Sequence, residues 1–189
     1  NIPIRRIELT DDEKLYIKPF NLLTSKPIIY VANVSEEDLF VGNNKYIEKV
    51  REYALKDNAE VVVICAKVES ELSDLSDEEK VLFLEELGIK ESGLSQLIKA
   101  TYSLLGLATY FTAGTDEVRA WTFHKGWKAP QCAGVIHTDF EKGFIRAEVI
   151  KYEDYISYGS EAAVKEAGKM NVEGKEYIVQ DGDVLFFKF

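Results

Sequence analysis

Two short, unbroken apolar runs, Ile28–Ala32 and Val61–Cys65, constrain this chain more than any other feature. A run of five apolar residues has neither the alternation of a half-exposed strand nor the length of a buried helix, so each predicts a strand covered on both faces. Lys26-Pro27 launches the first run. Between the runs, Asn44 is placed to cap a helix reaching Asp57, with Tyr46, Ile47, Val50 and Ala54 recurring at helical spacing. Strand, helix and strand within about 40 residues form a βαβ unit, and such a unit requires a parallel sheet. The chain can bury a core around it: apolar residues are 46% of 189 and aromatics 12%, which excludes a disordered polymer.

Either side of that unit the pattern differs. Residues 1–25 are mixed, with a helical stretch Asp11–Ile17 stopped by Pro19. Ser76 and Glu79 form a capping box for a helix ending at Gly88, and Leu94, Leu97, Ile98, Leu104 and Leu105 mark another. Gly106-Leu107-Ala108 reads as a hinge. Beyond it come strand-like stretches at Thr109–Thr112, Glu117–His124, Ile145–Tyr152 and Tyr177–Phe189, helical candidates near 130–140 and 160–168, and the turn Asp181-Gly182-Asp183. This second half predicts a small α+β domain, with a boundary near residue 107.

Charge and cysteine usage narrow the partners. With 23 basic and 33 acidic residues the net charge is −10, which excludes coating of DNA or anionic lipid by bulk charge. Cys65 and Cys132 sit among apolar neighbours without metal-ligand spacing and read as buried free thiols. No apolar stretch approaches the roughly 20 residues of a membrane helix, and no signal peptide opens the chain, so the expectation is a cytoplasmic protein without a membrane partner. The chain opens at Asn1 and its only methionine is Met170, which leads us to expect a processed start or a portion of a longer protein.

In open α/β sheets ligands bind beyond the carboxyl ends of the strands. Here those ends are Asn33-Val34-Ser35-Glu36 and Cys65-Ala66-Lys67. Asn-x-x-carboxylate after a buried strand is how GTPase-type domains read a nucleotide base, since the amide donates and accepts while an ionised acid only accepts. A plain reading stays open beside it: Asn33 turning the chain and Glu36 starting a solvated loop. The chain has no G-x-x-x-x-G-K-[ST], because Gly168-Lys169 runs into Met170 and Gly174-Lys175 into Glu176. It also has no Asp-x-x-Gly to sense a γ-phosphate through Mg²⁺. Without a phosphate cradle, these residues alone should neither hold a triphosphate tightly nor hydrolyse it.

Lys26-Pro27-Ile28-Ile29-Tyr30-Val31-Ala32-Asn33-Val34-Ser35-Glu36 resembles the base-recognition segment of the Obg-like ATPases, the YchF family. The blocks Tyr110–Trp121, Ile136–Ile145 and Ile178–Val184 resemble the same family, and the likeness spans nearly the whole chain. It implies that residues 1–25 end an inserted helical arm. Residues 26–106 would be the C-terminal part of the nucleotide-binding (OBG-type G) domain, hence an incomplete P-loop NTPase-type parallel sheet. Residues 107–189 would be a TGS domain, a small α+β ubiquitin-like β-grasp. The resemblance implies ATP rather than GTP, with Mg²⁺ in the complete protein and its ligands outside this chain. Asn33 would contact the base, Val34 would supply an apolar and backbone contact, Glu36 would alter specificity, and Cys65 and Ala66 would line the base. Guanine offers two adjacent N–H donors to a carboxylate and adenine does not, so replacing the GTPase-type Lys and Asp by Val34 and Glu36 removes the guanine match. No catalytic residue and no metal ligand is assigned.

A second candidate lies in the TGS stretch, where residues 119–151 carry six Lys or Arg against three acids, with both histidines and both tryptophans. Such a local excess suits RNA phosphates and stacking, which marks Arg119, Lys125, His137, Lys142 and Arg146 as possible ribosome or RNA contacts. The plain alternative is that the aromatics are core and the charges a solvated face. Two functions follow. The first is the C-terminal portion of a ribosome-associated, ATP-preferring ATPase that regulates translation or stress responses, inactive without its P-loop. The second is a stand-alone TGS adaptor that binds RNA or protein without hydrolysing nucleotide.

Overall fold

A computed structural model describes residues 2–114 and 117–189, so Asn1, Thr115 and Asp116 lie outside the described residues. The last two belong to the Tyr110–Trp121 block. The chain divides into two compact units, Asn1–Leu104 and Leu105–Phe189.

In the first unit α1 (Asp11–Ile17) starts at a Thr10/Glu13 capping box. Strand β1 (Tyr30–Asn33) is followed by α2 (Glu36–Val41), capped by Ser35, and α3 (Lys45–Leu55), where Asn44 Oδ1 accepts from the Tyr46 and Ile47 amides. Strand β2 (Val61–Ile64) lies parallel to β1 with Tyr30 opposite Val61 and Asn33 opposite Ile64, which is the expected βαβ unit. Two helices cross between the strands instead of one. Helices α4 (Ala66–Ser73), α5 (Asp77–Glu86) and α6 (Gly93–Leu104) complete the unit, and the Ser76/Glu79 capping box opens α5. The Glu69 carboxylate on α4 accepts from the Gly93 and Leu94 amides at 2.7 and 3.2 Å, capping α6 from a neighbouring helix. Cys65, Val68 and Leu72 form a core with Leu39, Phe83 and Leu84 against it.

One expectation fails here. β1 is not covered on both faces: its burial alternates, and Val31 is 44% exposed. The physical reason is that this sheet has only two strands among the described residues, so no further layer covers its second face. The stretch before β1 is tied down at the opposite end from Asn33. The Asp57 carboxylate, shielded from solvent, accepts from Arg5 at 3.1 Å, Arg6 at 2.5 and 2.9 Å and the Tyr30 hydroxyl at 2.6 Å. The Arg6 guanidinium, then the Tyr30 hydroxyl, holds Asp57 well below the usual carboxylate range.

The second unit is a five-stranded mixed sheet of order β4-β3-β7-β5-β6. Its strands are β3 (Leu107–Ala113), β4 (Val118–His124), β5 (Arg146–Lys151), β6 (Asn171–Glu173) and β7 (Asp183–Lys188). Only β3 and β7 run parallel; the other neighbours are antiparallel. Helices α7 (Ala129–Ile136) and α8 (Thr138–Lys142) follow β4, and α9 (Tyr152–Tyr158) and α10 (Glu161–Glu166) follow β5. Cys132 and Ala133 on α7 share a core with Tyr110, Phe123, Val149 and Leu185. Val164 on α10 packs with Ile150, Val184 and Phe111 on the other face. Both cysteines are free and buried, and burial pushes the Cys132 thiol up to about 12. The final stretch becomes a strand only from Asp183. At that first position Asp183 turns inward, fully buried, and accepts from Lys151 at 2.6 Å, the Tyr177 hydroxyl at 2.7 Å and the Gln180 amide at 2.8 Å.

Candidate functional site

Parallel pairing puts the carboxyl ends of β1 and β2 side by side, because Asn33 is opposite Ile64. An open cleft of about 720 Å³ lies beyond them, lined by Asn33, Val34, Ser35, Glu36, Glu37, Phe40, Cys65, Ala66 and Lys67. All five residues expected to read a base are therefore brought to one cleft. Each is held by an identifiable feature. The Val34 amide donates to the Ile64 carbonyl at 2.8 Å, extending the β1–β2 pairing into the cleft wall. The Asn33 Oδ1 accepts from the Ala66 amide at 3.0 Å, which fixes the amide orientation, since that backbone donor needs an oxygen. Its NH₂ is thereby the part of Asn33 left to meet a ligand, and it can only donate.

Cys65 is buried at the floor, and Ala66 starts α4. Glu36 starts α2 rather than a solvated loop. The acidic Glu36-Glu37-Asp38 belongs at a helix N-terminus, where the macrodipole favours negative charge, and Ser35 accepts from the Asp38 amide at 3.2 Å. Helix α2 also aligns Glu36 with Phe40 one turn on, and Phe40 is 55% exposed, an aromatic surface in the cleft. Sequence reasoning missed Phe40 because it missed α2, although Ser35 followed by three acids is a readable helix start.

It also missed the role of Lys67. The Lys67 ammonium donates to Glu36 Oε2 at 2.9 Å and lies 3.7 Å from Glu71. The Glu36 hydrogen bond, with help from Glu71, raises the Lys67 pKa above its ordinary value. The two groups thus form an ion pair joining the two strand-end segments.

The basic residues of the second unit are not gathered in the same way. Arg119 shares the α7 face of β4 with Trp121 and Phe123, stacks on the Trp121 ring at 4.1 Å and lies 3.6 Å from Glu117. Arg146 alternates with core Ala147 and so lies on the other face of β5, with Glu148 at 3.9 Å and Lys188 opposite. The single docking face drawn from sequence does not exist for this pair, because strand alternation sends them to opposite sides. Lys125 lies in the turn after β4 and Lys142 ends α8, both exposed. His137 caps α8, its Nδ1 accepting from the Asp139 amide at 3.2 Å, with its ring against Phe140. Among the described residues no cluster of three His, Cys, Asp or Glu could hold a metal, and no helix is long and apolar enough to cross a membrane.

Comparison with known proteins reaches both units. Residues 107–189 match the family model YchF-GTPase_C, described as a protein of unknown function (DUF933). Across 188 residues the chain is 63% identical to the "Ribosome-binding ATPase YchF" of Bacillus subtilis, covering 99% of this chain and 51% of the relative. It is 55% identical over 168 residues to "Obg-like ATPase 1" of Gallus gallus, covering 88% and 42%. The solved Schizosaccharomyces pombe YchF GTPase superposes with a TM-score of 0.83 at 40% identity, over 98% of this chain and 50% of that one. A GTP binding protein from Pyrococcus horikoshii shares the fold, with a TM-score of 0.60 at 16% identity, over 99% and 62%. The chain spans about half the length of the curated bacterial relatives it matches.

Proposed function

This chain belongs to the YchF, or Obg-like ATPase, family, whose C-terminal portion it matches, and on that premise we propose that its first unit supplies the base-reading half of a nucleotide site. In this reading β1 and β2 end a P-loop NTPase-type sheet, and residues 26–106 complete a G domain whose phosphate cradle lies outside these 189 residues. The observation that carries it is the convergence of Asn33, Val34, Glu36, Cys65 and Ala66 on one cleft at the carboxyl ends of two parallel strands. Asn33 donates to an acceptor on the base edge, Val34 and Phe40 cover its faces, and Cys65 and Ala66 floor the site. The preferred nucleotide is ATP, with Mg²⁺ and the phosphates held by the other half of the complete protein, and hydrolysis takes place only there.

The second unit we read as a TGS domain of the ubiquitin-like β-grasp type. Its support is the strand order β4-β3-β7-β5-β6 around one parallel pair. The partner proposed for the complete protein is the ribosome, on the strength of relatives named as ribosome-binding ATPases, which implies a cytoplasmic location.

Calorimetry on the complete gene product tests the base site. Asn33→Ala should weaken ATP about tenfold, the worth of one hydrogen bond to a buried polar edge. Unchanged ATP affinity would remove the cleft from the site. Val34→Lys with Glu36→Asp should move the ATP-to-GTP ratio towards GTP.

A further inference from the structure

We propose that Lys67 is a positioning residue that sets base selectivity, by holding one Glu36 carboxylate oxygen turned to itself and away from the paired donors of guanine. The inference rests on the base-site reading above and adds to it a residue from the second strand end.

Lys67 is in the first turn of α4, where the positive end of the helix dipole makes an ammonium unfavourable. Within α4 it has Glu71 as an i,i+4 partner at 3.7 Å. The nearer partner lies across the cleft: Glu36, whose Oε2 accepts from the Lys67 ammonium at 2.9 Å. Glu36 is at the first position of α2, and the pair links the two segments that form the cleft.

The consequence follows from counting donors and acceptors. Guanine presents O6 as an acceptor and N1–H and the N2 amine as adjacent donors, and a carboxylate satisfies both donors side by side only when both its oxygens face that edge. With Oε2 turned to Lys67, a guanine placing N1–H on Oε1 and O6 towards Lys67 leaves its N2 amine without an acceptor. An adenine placing its amine on Glu36 and N1 towards Lys67 leaves nothing on that edge unpaired. An unmatched donor on the base edge is a source of discrimination. Glu36 alone is still an acceptor for guanine; Glu36 held by Lys67 is not a complete one.

The test is calorimetric titration of the complete gene product with ATP and with GTP, comparing wild type, Lys67→Met, Lys67→Arg and Asn33→Ala. Lys67 has a side chain 68% exposed, so removing its charge leaves no cavity. Lys67→Met should shift the affinity ratio towards GTP by about tenfold, the loss of one charge-assisted hydrogen bond's worth of discrimination. Lys67→Arg, which restores the pairing, should return the wild-type ratio, a rescue that a merely structural lysine would not produce. An unchanged ratio in Lys67→Met, alongside weaker binding of both nucleotides in Asn33→Ala, overturns the role of Lys67 and leaves the base site standing. Full binding of both nucleotides by Asn33→Ala overturns the base site and this inference with it.

Discussion

In the proposed site, Asn33 is one side chain with two tasks, one for the fold and one for the ligand. Its oxygen accepts from Ala66 and so locks the end of β1 to the start of α4, which leaves its NH₂ for the proposed base contact. The two roles separate by substitution. Asn33→Asp keeps an acceptor for the Ala66 amide but loses the donor, so its melting temperature should stay near wild type while ATP affinity falls; equal loss in both would contradict the division. The residue type was legible from the motif, but its orientation was not, because that depends on a backbone donor 33 residues away. Lys67 was equally hidden, since an ion pair between two strand ends leaves no spacing signal. In the second unit, Tyr110→Phe should cost about 1 kcal/mol in chemical denaturation, because its hydroxyl donates to the Cys132 carbonyl at 2.8 Å inside the core. Cys132, pushed up to about 12 by burial, should resist alkylation at pH 8 until the unit unfolds; rapid labelling of the native protein would contradict its placement.

Among the elements, those with strong local signals were readable and those made by tertiary context were not. The β1–α3–β2 order, the Asn44 cap and the Ser76/Glu79 box all follow from sequence chemistry. Helix α4 lacks a capping side chain at Cys65, and α9 is built from Tyr-rich sequence that favours strands, so neither announced itself. Helix α6 begins where Glu69 receives its first amides, and its first residue must be small: a Cβ on Gly93 would meet Ile64 Cγ2 at 2.6 Å. Gly93→Ala should therefore destabilise by about 1–3 kcal/mol, read from the denaturation midpoint. Strand alternation carries a prediction for the ribosome as well. Because Arg119 and Arg146 lie on opposite faces of the sheet, charge reversal at the two should weaken co-sedimentation unequally; equal losses would contradict this separation of the two faces.

At the scale of the whole molecule, each unit has its own core, and the first is fastened at the start of β1 by Asp57. The Asp57 carboxyl is depressed in the folded state, so its stabilisation is present above the unfolded value, about 3.9, and is lost as pH falls towards the folded one. Thermal melting should show the first unit weakening below about pH 4, and Asp57→Asn should flatten that dependence while lowering stability at neutral pH. The net charge of −10 argues against a polyanion coat, yet it says nothing of a cleft where one lysine offsets one glutamate. What composition could not reveal is where opposite charges meet, and that geometry carries the proposed selectivity. The most direct measurement is a crystal structure of the complete gene product with a non-hydrolysable ATP analogue. The adenine should lie against the Asn33 NH₂ and beside Cys65, Ala66 and Phe40, with its amine on Glu36; a base seated away from this cleft would contradict the account.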